Sequence, residues 1–194
     1  SFESQGADVF FGEPEFDTRD FLRTTPDGKG LISPGHPLFD GVFGFAGHLS
    51  ANASLNDPSV DLLIAVGTSM NEWTSSGWSN SLLNEKLVHI DESAEHLARS
   101  PMARLHVRGR ILTIFDRLLT LRQTSLKASS TPIPLPNRTL SEIMEAGKFT
   151  SDATPIKPQR LMNELGKRFP VGTRFLADAG NSVAWATHFL QPAD

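Results

Sequence analysis

Apolar and polar positions change period along the chain. Asp61–Val66, "DLLIAV", is a continuous apolar run closed by Gly67, which predicts a strand buried on both faces. "KLVHID" over Lys86–Asp91 predicts a second short strand. "ARLHVRG" over 103–109 predicts a third, ending in glycine, and Phe21–Thr25 a further one. Helical spacing lies between and after them. "LSANASLNDPSVD" has the small residues of a short helix, stopped at Asn56-Asp57-Pro58. Ser93–Arg99 predicts a helical turn. Arg110–Arg122 sets Ile111, Ile114, Phe115, Leu118, Leu119 and Leu121 on an apolar helical face. Residues 68–84 are polar, carry Trp73 and Trp78, and read as a loop; residues 1–20 are polar and irregular and are assigned no element. Strands and helices therefore alternate over about residues 21–123, which implies an α/β fold with a parallel sheet.

The composition then shifts. "TSLKASSTPIPLPNRT", 124–139, is rich in Ser, Thr and Pro and reads as an extended linker. Beyond it, Pro158–Phe169 is amphipathic, with Leu161, Met162, Leu165 and Phe169 on one face. Thr173–Ala177 predicts a strand, "DAGNS" at 178–182 a turn, and Val183–Leu190 a helix. The pattern stops there, as a truncated second α/β unit would. The expected organisation is a central domain over 1–123, a linker over 124–150 and the start of a second domain over 151–194.

Charge and cysteine usage narrow the function classes. The net charge is −4, from 18 Lys and Arg against 22 Asp and Glu. No basic stripe points to nucleic acid, and the scattered cations do not point to a membrane surface. The chain has no cysteine, which excludes disulfides, thiolate metal sites and a cysteine nucleophile. That fits a reducing compartment, and a cytoplasmic location is expected. No apolar run approaches the roughly 18 residues of a spanning helix, and the first residues do not form a signal peptide. The chain begins with Ser rather than Met, as an excised fragment would.

Ligands of open parallel sheets bind beyond the carboxyl ends of the strands, and three loops qualify. "GKGLISPGHPLFDGVFGFAGH", 28–48, holds six glycines. Its Gly41, Gly44 and Gly47 are spaced three apart and precede His48, unlike the G-x-G-x-x-G dinucleotide fingerprint. Gly67-Thr68-Ser69 follows the most apolar strand and offers close backbone approach and two hydroxyls. Asp91 closes "LVHID", where an acidic side chain can accept from ribose hydroxyls. Together these could form a nucleotide site. Equally, the glycines could serve tight turns and Asp91 could cap the next helix. His36, His48, His89, His96, His106 and His188 show no metal-ligand spacing, and His89, alternating with apolar residues, reads as a core histidine. No G-x-S-x-G elbow is present and no carboxylate pair stands out as acid and base.

The order of these motifs resembles the middle domain of thiamine-diphosphate enzymes of the acetolactate synthase and 2-keto acid decarboxylase group. The resemblance runs through Thr24, Thr25, Gly28, Lys29, Gly30, His36, Pro37, Gly41, Gly44, Val66, Gly67, His89, Ile90 and Asp91. "RFLADAGNSVAWATHFL" is similar to the opening of that family's diphosphate-binding domain, through Asp178, Gly180 and Trp185. The resemblance implies a six-stranded parallel sheet with helices on both faces. It implies that Gly44, Gly47, His48, Gly67, Thr68, Ser69 and Asp91 would line an FAD or ADP site where one exists. Members that bind a flavin often carry an arginine soon after Val-Gly, and "GTSMNEWTSSGW" has none. It also implies that Gly180, Asn181 and Ser182 would touch the diphosphate of thiamine diphosphate, with Ser182 otherwise an ordinary helix cap. The Mg²⁺-holding loop would follow residue 194, and the activating glutamate would belong to a preceding domain.

The expected function is thus part of an enzyme that decarboxylates or carboligates 2-keto acids, inactive by itself and a homodimer or homotetramer when intact. The competing readings are a non-catalytic nucleotide-binding or structural module, and an NAD-dependent deacylase, which "VGTSM" resembles in its Gly-Thr-Ser loop.

Overall fold

The computed structural model describes residues 9–11, 21–125 and 145–192. Six strands are ordered β3-β2-β1-β4-β5-β6. They are β1 (Val9–Phe11), β2 (Leu22–Thr24), β3 (Phe39–Val42), β4 (Leu63–Val66), β5 (Leu87–Asp91) and β6 (Leu105–Arg108). The helices of this region are α1 (Leu49–Leu55), α2 (Ala94–Ala98) and α3 (Ile111–Ser125).

The α/β class and its parallel strands are present, but the sheet is not parallel throughout. β2 pairs with β3, and β4 with β5 with β6, all parallel. β1 lies between these groups of two and three strands and is antiparallel to both neighbours. The expectation of six parallel strands is corrected here, and the reason is chain length. Only residues 12–21 join β1 to β2, whereas a parallel crossover needs roughly a dozen residues or more.

The strands read from the apolar runs at 61–66, 86–91 and 103–109 form as β4, β5 and β6, and Phe21–Thr25 contains β2. β3 was hidden inside the glycine-rich stretch. Gly41 interrupts its pattern, yet all four of its residues are buried. Val9–Phe11 is a strand within a segment to which the sequence assigned no element.

The core gathers Phe43, Ala51, Leu55, Leu63, Ala65, Met70, Leu82, Leu83 and Leu87. β4 and β5 therefore point one face inward through Leu63, Ala65 and Leu87, while Ile64 and Val88 are half-buried. α1 packs on β3, and α2 on β5 and β6. A buried polar group ties β2, β3 and α1 together. Arg23 Nε lies 3.6 Å from Asp40 Oδ2 and donates to Ser54 Oγ at 3.1 Å, and Ser54 Oγ donates to the same carboxylate oxygen.

The C-terminal segment has a 3₁₀ helix (Ala146–Thr150), α4 (Pro158–Arg168) and α5 (Asn181–Phe189). Pro158 opens α4 at the position where a missing N–H costs nothing. α4 packs against α5 and the 3₁₀ helix. Gly166 is required there, because a Cβ would overlap the Gln191 carbonyl oxygen. The strand expected over Thr173–Ala177 does not form; the segment has no regular structure and Leu176 is fully exposed. A strand needs a neighbour for its backbone donors and acceptors, and none pairs with it among the described residues. Most of the expected linker, 126–144, lies outside the described residues.

Candidate functional site

Parallel pairing brings the carboxyl ends of β4 and β5 side by side, with Val66 opposite Ile90. Gly67 takes φ +66° and its N–H donates to the Ile90 carbonyl at 2.8 Å, so the turn after β4 sits beside Asp91. Thr68 is buried. Its carbonyl accepts from His89 Nε2 at 3.1 Å and its Oγ1 accepts from Met70 N at 3.4 Å. Ser69 Oγ is buried and has no hydrogen-bond partner among the described residues. Asp91 is nearly filled. Its Oδ1 accepts from Ser93 N at 2.6 Å, and His96 Nδ1 donates to Oδ2 at 3.1 Å. Ser93 in turn caps α2 by accepting from His96 N.

Sequence reading missed Arg99. It follows α2 and donates through Nη1 to the Ser69 carbonyl at 3.0 Å, while its Nη2 pairs with Glu95. The loop after β4 thus has a guanidinium beside it, supplied thirty positions later. The signal in the sequence is only a Glu95–Arg99 helical spacing, which ordinarily marks a surface ion pair.

The glycine-rich loop has a different explanation. Gly44 takes φ +112°, and a Cβ there would overlap the Trp73 carbonyl oxygen, which accepts from Phe45 N at 2.8 Å. A Cβ on Gly47 would overlap the Val42 carbonyl oxygen, and one on Gly41, at φ +110°, would lie 2.8 Å from His48 Nδ1. These glycines let the chain close on itself around His48. Phe45 and Trp73 stack at 4.4 Å between centroids and remain partly exposed, joining this loop to the one after β4.

His48 is wholly buried and its tautomer is set by its partners. Nδ1 accepts from Val42 N at 2.8 Å, so Nε2 carries the proton and donates to the His188 carbonyl at 2.8 Å. Burial, with smaller effects from His188 and Lys29, pushes its pKa down from 6.5 to about 3. Below pH 6.5 the unfolded chain takes up a proton that the folded ring refuses. Stability contributed here is therefore complete above pH 6.5 and is lost as pH falls toward 3. A linked group of this kind costs about 1.4 kcal/mol per pH unit, hence about 2 kcal/mol between pH 7 and pH 5. His48→Gln should lose about that much less than wild type over this range in urea denaturation. Equal pH slopes for the two proteins would refute the assignment.

His89 is a core histidine, as its alternation predicts. Nε2 donates to the Thr68 carbonyl, Nδ1 lies 2.8 Å from Ser100 Oγ, and burial lowers its pKa.

Gly180, Asn181 and Ser182 stand apart from these loops, exposed at the start of α5. Gly180 takes φ +108°, and nothing lies within 4 Å of a Cβ placed on it. No side chain caps this helix start, so its first amides keep their donors. Ser182 Oγ donates back to the Asp178 carbonyl at 2.8 Å, leaving its lone pairs open. His188, in the last turn of the same helix, is the end that touches the glycine-rich loop. At 1.5 Å per residue the two ends are about 12 Å apart. The structure thus presents two separate places: the loops after β3, β4 and β5, and the open start of α5.

No group of three or more His, Cys, Asp or Glu residues able to hold a metal occurs among the described residues, and no described helix is long and apolar enough to cross a membrane.

Parallel strands with glycines, hydroxyls, an acid and a guanidinium gathered at their carboxyl ends define an open α/β domain, a class that sets its ligands at this edge when it binds any. Its family is set by comparison: the profile "Thiamine pyrophosphate enzyme, central domain" matches residues 21–118, and the chain belongs to that family. A second profile, "Helicase HerA-like C-terminal", matches residues 1–34 and carries no argument, since half of that stretch lies outside the described residues. Among curated relatives, "Pyruvate decarboxylase" of Kluyveromyces marxianus is 28% identical over 170 residues, covering 85% of this chain and 28% of the relative. "Probable acetolactate synthase large subunit" of Methanocaldococcus jannaschii is 26% identical over 181 residues, covering 87% and 29%. "Acetolactate synthase large subunit" of Cyanidium caldarium is 24% identical over 178 residues, covering 88% and 29%. The chain therefore spans under a third of the length of these relatives. Each alignment also covers more residues than 1–118 contain, so it extends into the C-terminal segment. The family assignment displaces the deacylase reading.

Proposed function

We propose that the chain is the central domain and the start of the diphosphate-binding domain of an enzyme that uses thiamine diphosphate and Mg²⁺ to decarboxylate or carboligate 2-keto acids. Family membership supports the class. Relatives named for acetolactate synthesis and pyruvate decarboxylation support a 2-keto acid substrate. The layout is a central domain over 1–123, a linker over 124–150 and the second domain from 151, with the whole protein acting in the cytoplasm as a homodimer or homotetramer.

The observation that carries the cofactor reading is the uncapped, exposed start of α5. Backbone donors at a helix N-terminus favour an anion, and Gly180 leaves room for one to approach. There Gly180, Asn181 and Ser182 would hold the diphosphate through backbone amides and a hydroxyl. Thiamine diphosphate, when bound, supplies the nucleophilic carbon and the electron sink for loss of CO₂. The residues of this chain bind and orient it.

Asn181→Asp separates binding from folding. The change is nearly isosteric and suits a helix start, but it sets a negative charge against a diphosphate. The full-length variant should keep or slightly raise its stability and bind thiamine diphosphate with Mg²⁺ about tenfold or more weakly by calorimetry. Wild-type affinity in this variant would overturn the placement. A full-length protein that releases no CO₂ from a panel of 2-keto acids with the cofactor present would overturn the activity.

The finer reading of the central domain is an FAD or ADP lying along Gly67, Thr68, Ser69 and Asp91, with Gly44, Gly47 and His48 behind it. It is supported by the unpartnered Ser69 Oγ and by Arg99 beside it. Saturable quenching of Trp73 by FAD or ADP tests it, and a flat titration would leave these loops as scaffold.

A further inference from the structure

Three hydrogen bonds clamp the C-terminal end of α5 to the glycine-rich region. Lys29 Nζ donates to the Thr187 carbonyl at 2.6 Å, His48 Nε2 to the His188 carbonyl at 2.8 Å, and His188 Nδ1 to the Ala46 carbonyl at 3.1 Å. The rings of His48 and His188 lie 4.6 Å apart. The two accepting carbonyls on α5 belong to its last turn, where carbonyls lack helical partners and the helix dipole favours cations.

The two imidazoles differ in what faces them. His48 has a donor on one side and an acceptor on the other, which suits a neutral ring. His188 meets acceptors on both sides: the Ala46 carbonyl at Nδ1 and Glu145 Oε2, 3.1 Å from Nε2. Neither a carbonyl nor a carboxylate can donate, and a neutral imidazole has one N–H. Both contacts are made together only by the imidazolium. Lys148 keeps Glu145 in its charged form, with Nζ 2.8 and 2.9 Å from the two carboxylate oxygens, and this is the main cause of its lowered pKa.

We propose that His188 is a proton-dependent positioning residue: with a proton on each ring nitrogen it bridges the glycine-rich loop to Glu145 and fixes α5, and loss of one proton releases that end of the helix. The charged and titratable groups around it are Glu145 with its partner Lys148, the half-buried Lys29 beside it, and His48 against its ring. Burial keeps His48 neutral and lowers the Lys29 pKa to about 7, but the Lys29 amine donates to the Thr187 carbonyl with or without its extra proton, so that bond persists from pH 6 to pH 8. The functional consequence rests on reading the other end of α5 as the diphosphate site, because a helix fixed at one end fixes where its N-terminus stands. The clamp itself is measured without cofactor and fails separately from that reading.

Amide hydrogen exchange of the full chain tests it, corrected for the intrinsic rise of exchange rates with pH. Protection in the last turn of α5 should fall about tenfold between pH 6 and pH 8 as one charge-assisted bond is lost, while α2 changes little. Glu145→Gln supplies an amide that can donate to a neutral Nε2, so its protection should be the same at both pH values. His188→Phe, which keeps a ring but neither bond, should be poorly protected throughout. Wild-type protection that does not change with pH, or Glu145→Gln falling as wild type does, would overturn the proposal. Nitrogen-15 NMR of His188 gives a readout free of any variant: both ring nitrogens protonated at pH 6 supports the clamp, and a single protonated nitrogen refutes it.

Discussion

Asp40→Ala should lower the stability of the chain by about 3–5 kcal/mol, because it leaves the Arg23 guanidinium buried beside a vacated carboxylate. The side chains of Arg23 and Asp40 are 5% and 0% exposed, so neither charge can turn to water when its partner is removed. Ser54 depends on the same group, through its bond to Asp40 and the bond it accepts from Arg23. The loss should therefore loosen α1 from β2 and β3 as well as weaken the ion pair. The urea midpoint reads the total. Replacing both charges, Arg23→Met with Asp40→Leu, should recover most of it, since an apolar pair of similar volume avoids the desolvation cost. A single variant within 1 kcal/mol of wild type would mean that the pair is solvated in solution.

Gly44→Ala should cost about 3–4 kcal/mol. An L residue at φ +112° carries strain of roughly 1–3 kcal/mol, and the new Cβ must also displace the Trp73 carbonyl that accepts from Phe45. Gly30→Ala is the matched control. Its φ is +91° but nothing lies within 4 Å, so it should cost only the strain, about 1 kcal/mol. Equal losses in thermal or urea denaturation would show that conformation alone, and not close packing, selects glycine at position 44. The pair of variants thus asks whether the glycine-rich stretch exists to bring backbone against backbone.

Much of the fold was legible because local pattern reports which faces are apolar. "DLLIAV", "KLVHID" and "ARLHVRG" contain β4, β5 and β6; the helical spacing at 158–169 contains α4, and those at 110–122 and 183–190 overlap α3, which runs on to Ser125, and α5, which starts at Asn181. The order of Gly-Lys-Gly, Gly-x-x-Gly, Val-Gly and His-Ile-Asp pointed to the family that the profile match assigns. What pattern could not give was pairing. β3 carries a glycine where alternation would want a side chain, and Thr173–Ala177 has strand-like composition without a neighbouring strand.

The candidate site divides in the same way. The sequence placed Gly67, Thr68, Ser69 and Asp91 at strand ends, because an apolar run followed by glycine is a local signal. It could not tell that Asp91 is occupied by Ser93 and His96, or that Arg99 reaches Ser69. By itself the sequence determined the α/β class, the positions of most strands and helices, and the family. The tertiary structure alone decided the direction of β1, the partners of His48 and the seating of α5 beside it. His48 and His188 are 140 residues apart, and no local periodicity encodes a hydrogen bond between groups that meet only when the chain closes. Burial then fixes the chemistry of that meeting, since a ring removed from water keeps only the proton its neighbours can use.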